Sequence, residues 1–87
     1  MAHELGIWLV RTEAEALGER LQQRLDGDLL RPWLVSEMAP LEQFRRVFPV
    51  YRQWLLIMAA GIAVRYLDGL LHDKLHDPGV VAIDEAA

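Results

Sequence analysis

The sequence predicts an α/β fold, a small three-layer domain with a mainly parallel sheet and elements in βαβαβαβ order. Two observations carry that expectation. Short runs of almost uninterrupted hydrophobic residues recur at Ile7–Val10, Trp54–Ala60 and Val80–Ile83, as expected of strands covered on both faces. Between them lie longer stretches whose apolar residues return every three or four positions, the spacing of a helix with one buried side. Strands of the first kind alternating with helices of the second place helices on both faces of a parallel sheet.

The elements follow in order. Gly6–Val10 reads as a first buried strand. Thr12 and Glu15 have the spacing of a capping box, opening a helix with Ala14, Leu17, Leu21 and Leu25 on one face and Gly27 as its stop. Leu30–Val35 is a weaker strand; Pro32 lacks an N–H for the ladder, which places the strand at an edge or starts it after the proline. Pro40 suits the first position of a second helix, with Leu41, Phe44, Val47, Phe48 and Tyr51 along its apolar stripe. Pro49 kinks or divides that helix. After the Trp54–Ala60 strand, Gly61 marks the turn, and Ile62, Tyr66, Leu70 and Leu71 continue at helical spacing. Asp77-Pro78-Gly79 breaks the pattern before the last strand, Val80–Ile83. Trp8, Trp33 and Trp54 are assigned to packing.

Composition narrows the function. The 87 residues allow one domain, and 53% of them are hydrophobic, enough for a core. A formal charge of −4 opposes a nucleic-acid surface, which needs clustered Lys and Arg. With no cysteine, disulfides and thiolate chemistry are excluded, in keeping with a reducing, cytoplasmic setting. The N-terminus lacks the pattern of a signal peptide. Trp54–Val64, the longest apolar run, falls well short of the ~20 residues that span a bilayer, so no membrane partner is expected.

The most informative stretch is Trp54–Ala86. Met58-Ala59-Ala60-Gly61-Ile62-Ala63-Val64-Arg65 is followed by Leu70-Leu71-His72-Asp73-Lys74, then Asp77-Pro78, then Val80-Val81-Ala82-Ile83-Asp84-Glu85-Ala86. In order and spacing these blocks resemble the N-terminal part of the cobalt-precorrin-5A hydrolase family. The resemblance implies opening of a δ-lactone on a cobalt corrinoid with release of acetaldehyde, in anaerobic cobalamin biosynthesis. It implies no cofactor, cobalt entering only as part of the substrate. In that family the Asp-Glu-Ala segment leads into a further strand and a glycine-rich Ser-Gly-His region. The expectation is therefore a single truncated N-terminal domain that contributes to a substrate pocket without turning over alone. The alternative is a non-catalytic corrinoid-binding or assembly module that needs a partner chain. An uncovered apolar edge at Val80–Ile83 would favour self-association, or pairing with the remainder of the enzyme.

Candidate site residues follow from this reading. Gly61 sits where the buried strand ending at Ala60 turns into the helix that Ile62 continues, and the unpaired amides and helix dipole of that first turn favour anions. Arg65, one turn on, offers a bidentate fork for a carboxylate. Together they are the candidate substrate-binding residues, suited to the acetate and propionate arms of a corrinoid. Asp84 and Glu85 follow the last strand, where open α/β sheets bind ligands, and are the candidate catalytic carboxylates for activating water. His72 and His76 have the i, i+4 spacing of a shared metal, but no third ligand stands out and Pro78 follows at once. They and Lys74 are assigned to a surface helix end, and no metal is expected.

Overall fold

A computed structural model describes residues 3–72 and 77–84. Four parallel strands form one sheet: β1 (His3–Leu9), β2 (Asp28–Leu30), β3 (Tyr51–Ile57) and β4 (Gly79–Ile83), in spatial order β2-β1-β3-β4. Among the described residues, three α-helices connect them: α1 (Glu15–Leu25), α2 (Pro40–Val47) and α3 (Ala60–Leu67). The expected α/β architecture is present, with the apolar runs in β1, β3 and β4 as parallel neighbours.

Alternate residues of each strand feed two cores. Ile7, Leu9, Leu55 and Ile57 face the α1 side, where Ala14, Leu17 and Leu21 pack against them. Trp8, Trp54, Leu56 and Met58 face the other side and meet Phe44 and Phe48 after α2 begins, and Ala63 and Tyr66 of α3. This second core is largely aromatic. Trp8 lies edge-on to Phe44 at 5.2 Å, to Trp54 at 6.3 Å and to Tyr66 at 6.2 Å between ring centroids. Phe44, fully buried, adds contacts to Trp54 at 4.9 Å and Tyr66 at 5.4 Å. The Trp54 ring passes over Gly6 so closely that a Cβ there would sit 2.7 Å from it. Trp33 is half-buried on the α1 side.

Buried polar groups are tied down locally. Trp54 Nε1 donates to the Phe48 carbonyl at 3.0 Å, which anchors the single 3₁₀ turn Phe48–Val50 that Pro49 imposes after α2. Gln43 Nε2 donates to the carbonyls of Pro32, Val35 and Met38 at 3.1, 3.2 and 2.7 Å, holding the loop between β2 and α2. Among the described residues, the Trp8 N–H is buried without a hydrogen-bond partner.

Several element boundaries differ from expectation. Thr12 and Glu15 form no capping box: Thr12–Ala14 is a 3₁₀ turn, and the threonine hydroxyl donates to Glu13 Oε1 at 3.2 Å. The stop of α1 is Asp26, itself left-handed at φ 57°, one residue before Gly27. Leu25 is 51% exposed, because the helix has by then run past the sheet. The edge strand β2 is Asp28–Leu30 rather than Leu30–Val35; Pro32 ends it by opening a 3₁₀ turn. β3 begins at Tyr51 and ends at Ile57, not at Ala60. Its exposed Arg52 and Gln53 hid the start, and a buried strand end flowing into a helix hid the finish. α3 closes at Leu67, where Asp68 leaves helical geometry, so Leu71 is 52% exposed.

Two outcomes test this packing. Phe44→Ala should lower stability by about 3–5 kcal/mol, the cost of emptying a fully buried aromatic site, measured by urea unfolding. Tyr51 Oη donates to Asp28 Oδ2 at 2.9 Å; burial first, then that carboxylate, pushes its pKa up to about 12. A raised folded-state value means the contribution is whole below the ordinary tyrosine value near 10 and is lost as pH climbs through 12. Unfolding titrations should therefore show stability falling across that window, with Tyr51→Phe flattening the fall.

Candidate functional site

The chain leaves β1 toward β2 on one side, then returns past β1 to place β3 on the other. Strand order thus reverses between β1 and β3, and their carboxyl ends part to leave a crevice, the usual ligand position in open α/β sheets. A cleft of about 340 Å³ occupies this place. Val10 and Arg11 line it from the end of β1, Ile57, Met58 and Ala59 from the end of β3, Ile62 from α3, and Asp84 from just past β4.

Local backbone geometry explains how these residues converge. β3 ends at Ile57, and Met58 N donates to the Ile83 carbonyl at 3.0 Å, carrying the β3–β4 pairing one residue further. Ala59 is extended, at φ −63° and ψ 147°, and its carbonyl accepts from the amides of Ile62 and Ala63 at 3.0 Å each. No side chain caps α3. The N–H groups of Ala60 and Gly61 are the first two of the helix and have no earlier carbonyl within it to bond. They stand beside Ala59 at the mouth of the cleft. The walls are chiefly aliphatic, and the lining carries one cationic and one anionic side chain, Arg11 and Asp84.

The sequence-derived residues divide accordingly. Ile62 and Asp84 line the cleft. Ala60 and Gly61 are exposed in the first turn of α3. Gly61 needs neither tight packing nor a left-handed backbone: a Cβ there would meet nothing within 4 Å. Arg65 is exposed in the last turn of α3, ~7.5 Å along the axis from Ala60 at the α-helical rise, and is not among the lining residues. Glu85 lies outside the described residues, as do 73–76, which include Lys74 and His76; His72 is exposed. Among the described residues, no three His, Asp or Glu side chains gather as a metal site.

Arg11 was not singled out from the sequence. The signal was present: it directly follows the apolar run ending at Val10, in the position relative to β1 that Ala59 holds relative to β3.

A second hollow of about 300 Å³ lies below the Gln43-bound loop, against Trp8, Leu30 and Val47. It is mostly apolar, and its Arg31 is engaged by Glu15 at 2.6 Å and Glu19 at 3.0 Å. The switch-point cleft is the better site because it combines strand ends, helix amides and both signs of charge.

A family profile described as "Cobalamin synthesis G N-terminal" matches residues 42–87, just over half of the chain. The chain belongs to the cobalamin synthesis G N-terminal family. Cobalt-precorrin-5A hydrolase from Salmonella typhimurium is 51% identical over 41 residues, which make up 47% of this chain and 12% of that protein. The chain thus spans a small fraction of that relative's length. No solved structure matches it. The family match takes in β3, α3 and β4, hence every cleft residue except Val10 and Arg11. Among the described residues no helix is long and apolar enough to cross a membrane.

The open space at Gly61 yields a prediction. Glycine costs helices about 0.5–1 kcal/mol relative to alanine. Gly61→Ala should therefore leave the fold intact and raise unfolding stability by up to that amount in urea titrations.

Proposed function

We propose that this domain forms one wall of a corrinoid site in a lactone-opening hydrolase, holding carboxylate arms of the macrocycle at the β1/β3 switch point. The observation that carries this reading is the coincidence of the cleft with the family-matching segment: α3 and the ends of β3 and β4 supply both. A cleft of about 340 Å³ is at the small end of ligand pockets and fits peripheral arms rather than a whole macrocycle. The aliphatic walls suit the methylenes of an acetate or propionate. Arg11 supplies the cation, the Ala60 and Gly61 amides supply further donors, and Arg65, exposed in the last turn of α3 away from the cleft, serves a more distant carboxylate of the macrocycle.

Asp84, which lines the cleft, is the carboxylate we assign to activating water. In lactone opening, the water oxygen bonds to the carbonyl carbon while Asp84 takes its proton. The bond from that carbon to the ring oxygen then breaks, and the ring oxygen leaves as an alcohol once protonated. Glu85, the next residue, is the second candidate for that proton transfer. Stabilising the oxyanion requires donors fixed in advance, and losing one costs ~10²–10³ in rate. The cleft residues supply few such donors, so the chain alone binds without turnover. The cobalt belongs to the substrate, and no resident cofactor enters this scheme.

The test gives the 87-residue chain cobalt-precorrin-5A and follows both the corrinoid absorbance and acetaldehyde. Saturable binding without acetaldehyde is expected, with Arg11→Ala weakening it about tenfold or more, as loss of a charge-assisted hydrogen bond would. Acetaldehyde at an ordinary enzymatic rate would instead make this segment a complete catalyst. Binding indifferent to Arg11→Ala and to Gly61→Trp would remove the cleft from consideration. In a complete family polypeptide carrying this segment, Asp84→Asn should lower kcat with little change in KM.

A further inference from the structure

The second hollow, of about 300 Å³, shares no lining residue with the switch-point cleft. Trp8 and Leu30 reach it from the sheet, Val47 from α2, and Pro32, Val35 and Met38 from the segment between β2 and α2. Among the described residues, the charged groups of its lining are Arg31 and Arg46, and no carboxylate is one of them. In a chain of formal charge −4, that is a local reversal of sign.

One side chain props the hollow open. The Gln43 amide has two N–H bonds, which it shares among the carbonyls of Pro32, Val35 and Met38. The loop is thereby fixed at three points and keeps its apolar side chains partly in solvent instead of filling the space. Val35 is 44% exposed and Leu34 72%.

The two arginines are not equivalent. Arg31 is committed to Glu15 at 2.6 Å and to Glu19 at 3.0 Å. Arg46 meets Glu42 only at 3.8 Å, with both side chains more than half exposed. A pair of that kind contributes little, so an incoming carboxylate can take the Arg46 guanidinium at small cost.

We propose that this hollow binds a small free carboxylate with a hydrocarbon tail. The tail lies against Trp8, Leu30 and Val47, and the carboxylate pairs with Arg46. An apolar cavity of ~150 Å³ already holds benzene, so this hollow admits a chain of about six carbons. Met38, with its flexible thioether, adapts to tails of different shape. Selectivity comes from the combination: acetate has no tail to bury, and an alcohol of the same length offers Arg46 no charge. This site stands independently of the corrinoid reading.

The test is a titration of the isotope-labelled chain with hexanoate, hexanol and acetate, followed by amide and indole NMR spectra. Hexanoate should bind saturably in the millimolar range, as burial of a short hydrocarbon tail predicts. The shifts should fall on the amides of Val35, Met38 and Val47 and on the Trp8 indole N–H. Hexanol should bind about threefold more weakly, the worth of an exposed ion pair, and acetate should not saturate. Arg46→Ala should abolish the preference for hexanoate over hexanol. Glu42→Gln, which removes the competing carboxylate, should tighten hexanoate about twofold. The two variants move affinity in opposite directions, so a loss of folding cannot imitate the pattern. No saturable binding, shifts confined to the switch-point cleft, or an unaltered preference in Arg46→Ala would each overturn the proposal.

Discussion

The edge-on contact between Trp8 and Phe44, 5.2 Å apart between centroids, is the contact on which the other layers depend. Trp8 projects from the inner strand β1, and Phe44 from the middle of α2. Around them, Trp54 brings in β3, Tyr66 brings in α3, and Phe48 brings in the turn that replaces the last part of α2. A short helix such as α3, eight residues long, is unstable by itself in water. Its position is set by Ala63 and Tyr66 entering this aromatic core. Because α3 starts where it does, its first amides stand at the carboxyl end of β3.

The same cluster explains how a small domain tolerates sparse helix capping. None of the three α-helices has a side-chain N-cap. Their starts are held instead by backbone turns: Ala14 N to the Arg11 carbonyl at 3.1 Å before α1, and Gln43 N to the Ala39 carbonyl at 3.0 Å in α2. Tertiary burial supplies what capping leaves out. On the opposite face the packing is aliphatic, and α1 is further pinned by Arg31 reaching Glu15 and Glu19 from the loop after β2. That salt link is partly exposed and contributes position more than stability.

The candidate cleft rests on the loops rather than the core. Strand ends that are buried along their length expose their next residues together at one rim. Arg11 and Asp84 are ~70 positions apart in sequence, yet both line one cleft because parallel strands all end on the same side. The outer strands differ in length: β2 has three residues and is followed by Pro32, while β4 has five.

The hydrophobic runs determined by themselves that β1, β3 and β4 would be parallel neighbours, because residues buried on both faces leave few other architectures. Pro40 likewise marked the start of α2 and Pro49 its interruption, since a missing N–H acts locally; that Tyr51 belongs to β3 rather than to the stripe of α2 was not legible. The blocks from Met58 to Ala86 carried the family. Tertiary structure alone decided the rest. Whether Met58-Ala59-Ala60 belongs to strand or helix depends on where the sheet ends, and hydrophobicity is the same in either. Thr12 and Glu15 have the spacing of a cap, but the turn at Arg11 sends the threonine hydroxyl to Glu13 instead. Arg11 and Asp84 became partners in one cleft only through strand order, which sequence spacing does not encode. Arg65 has the residue type for a carboxylate site, but the axis of α3 carries it away from the cleft floor. Composition and periodicity act over a few neighbouring residues, whereas a site is assembled from chain ends that only the completed sheet brings together.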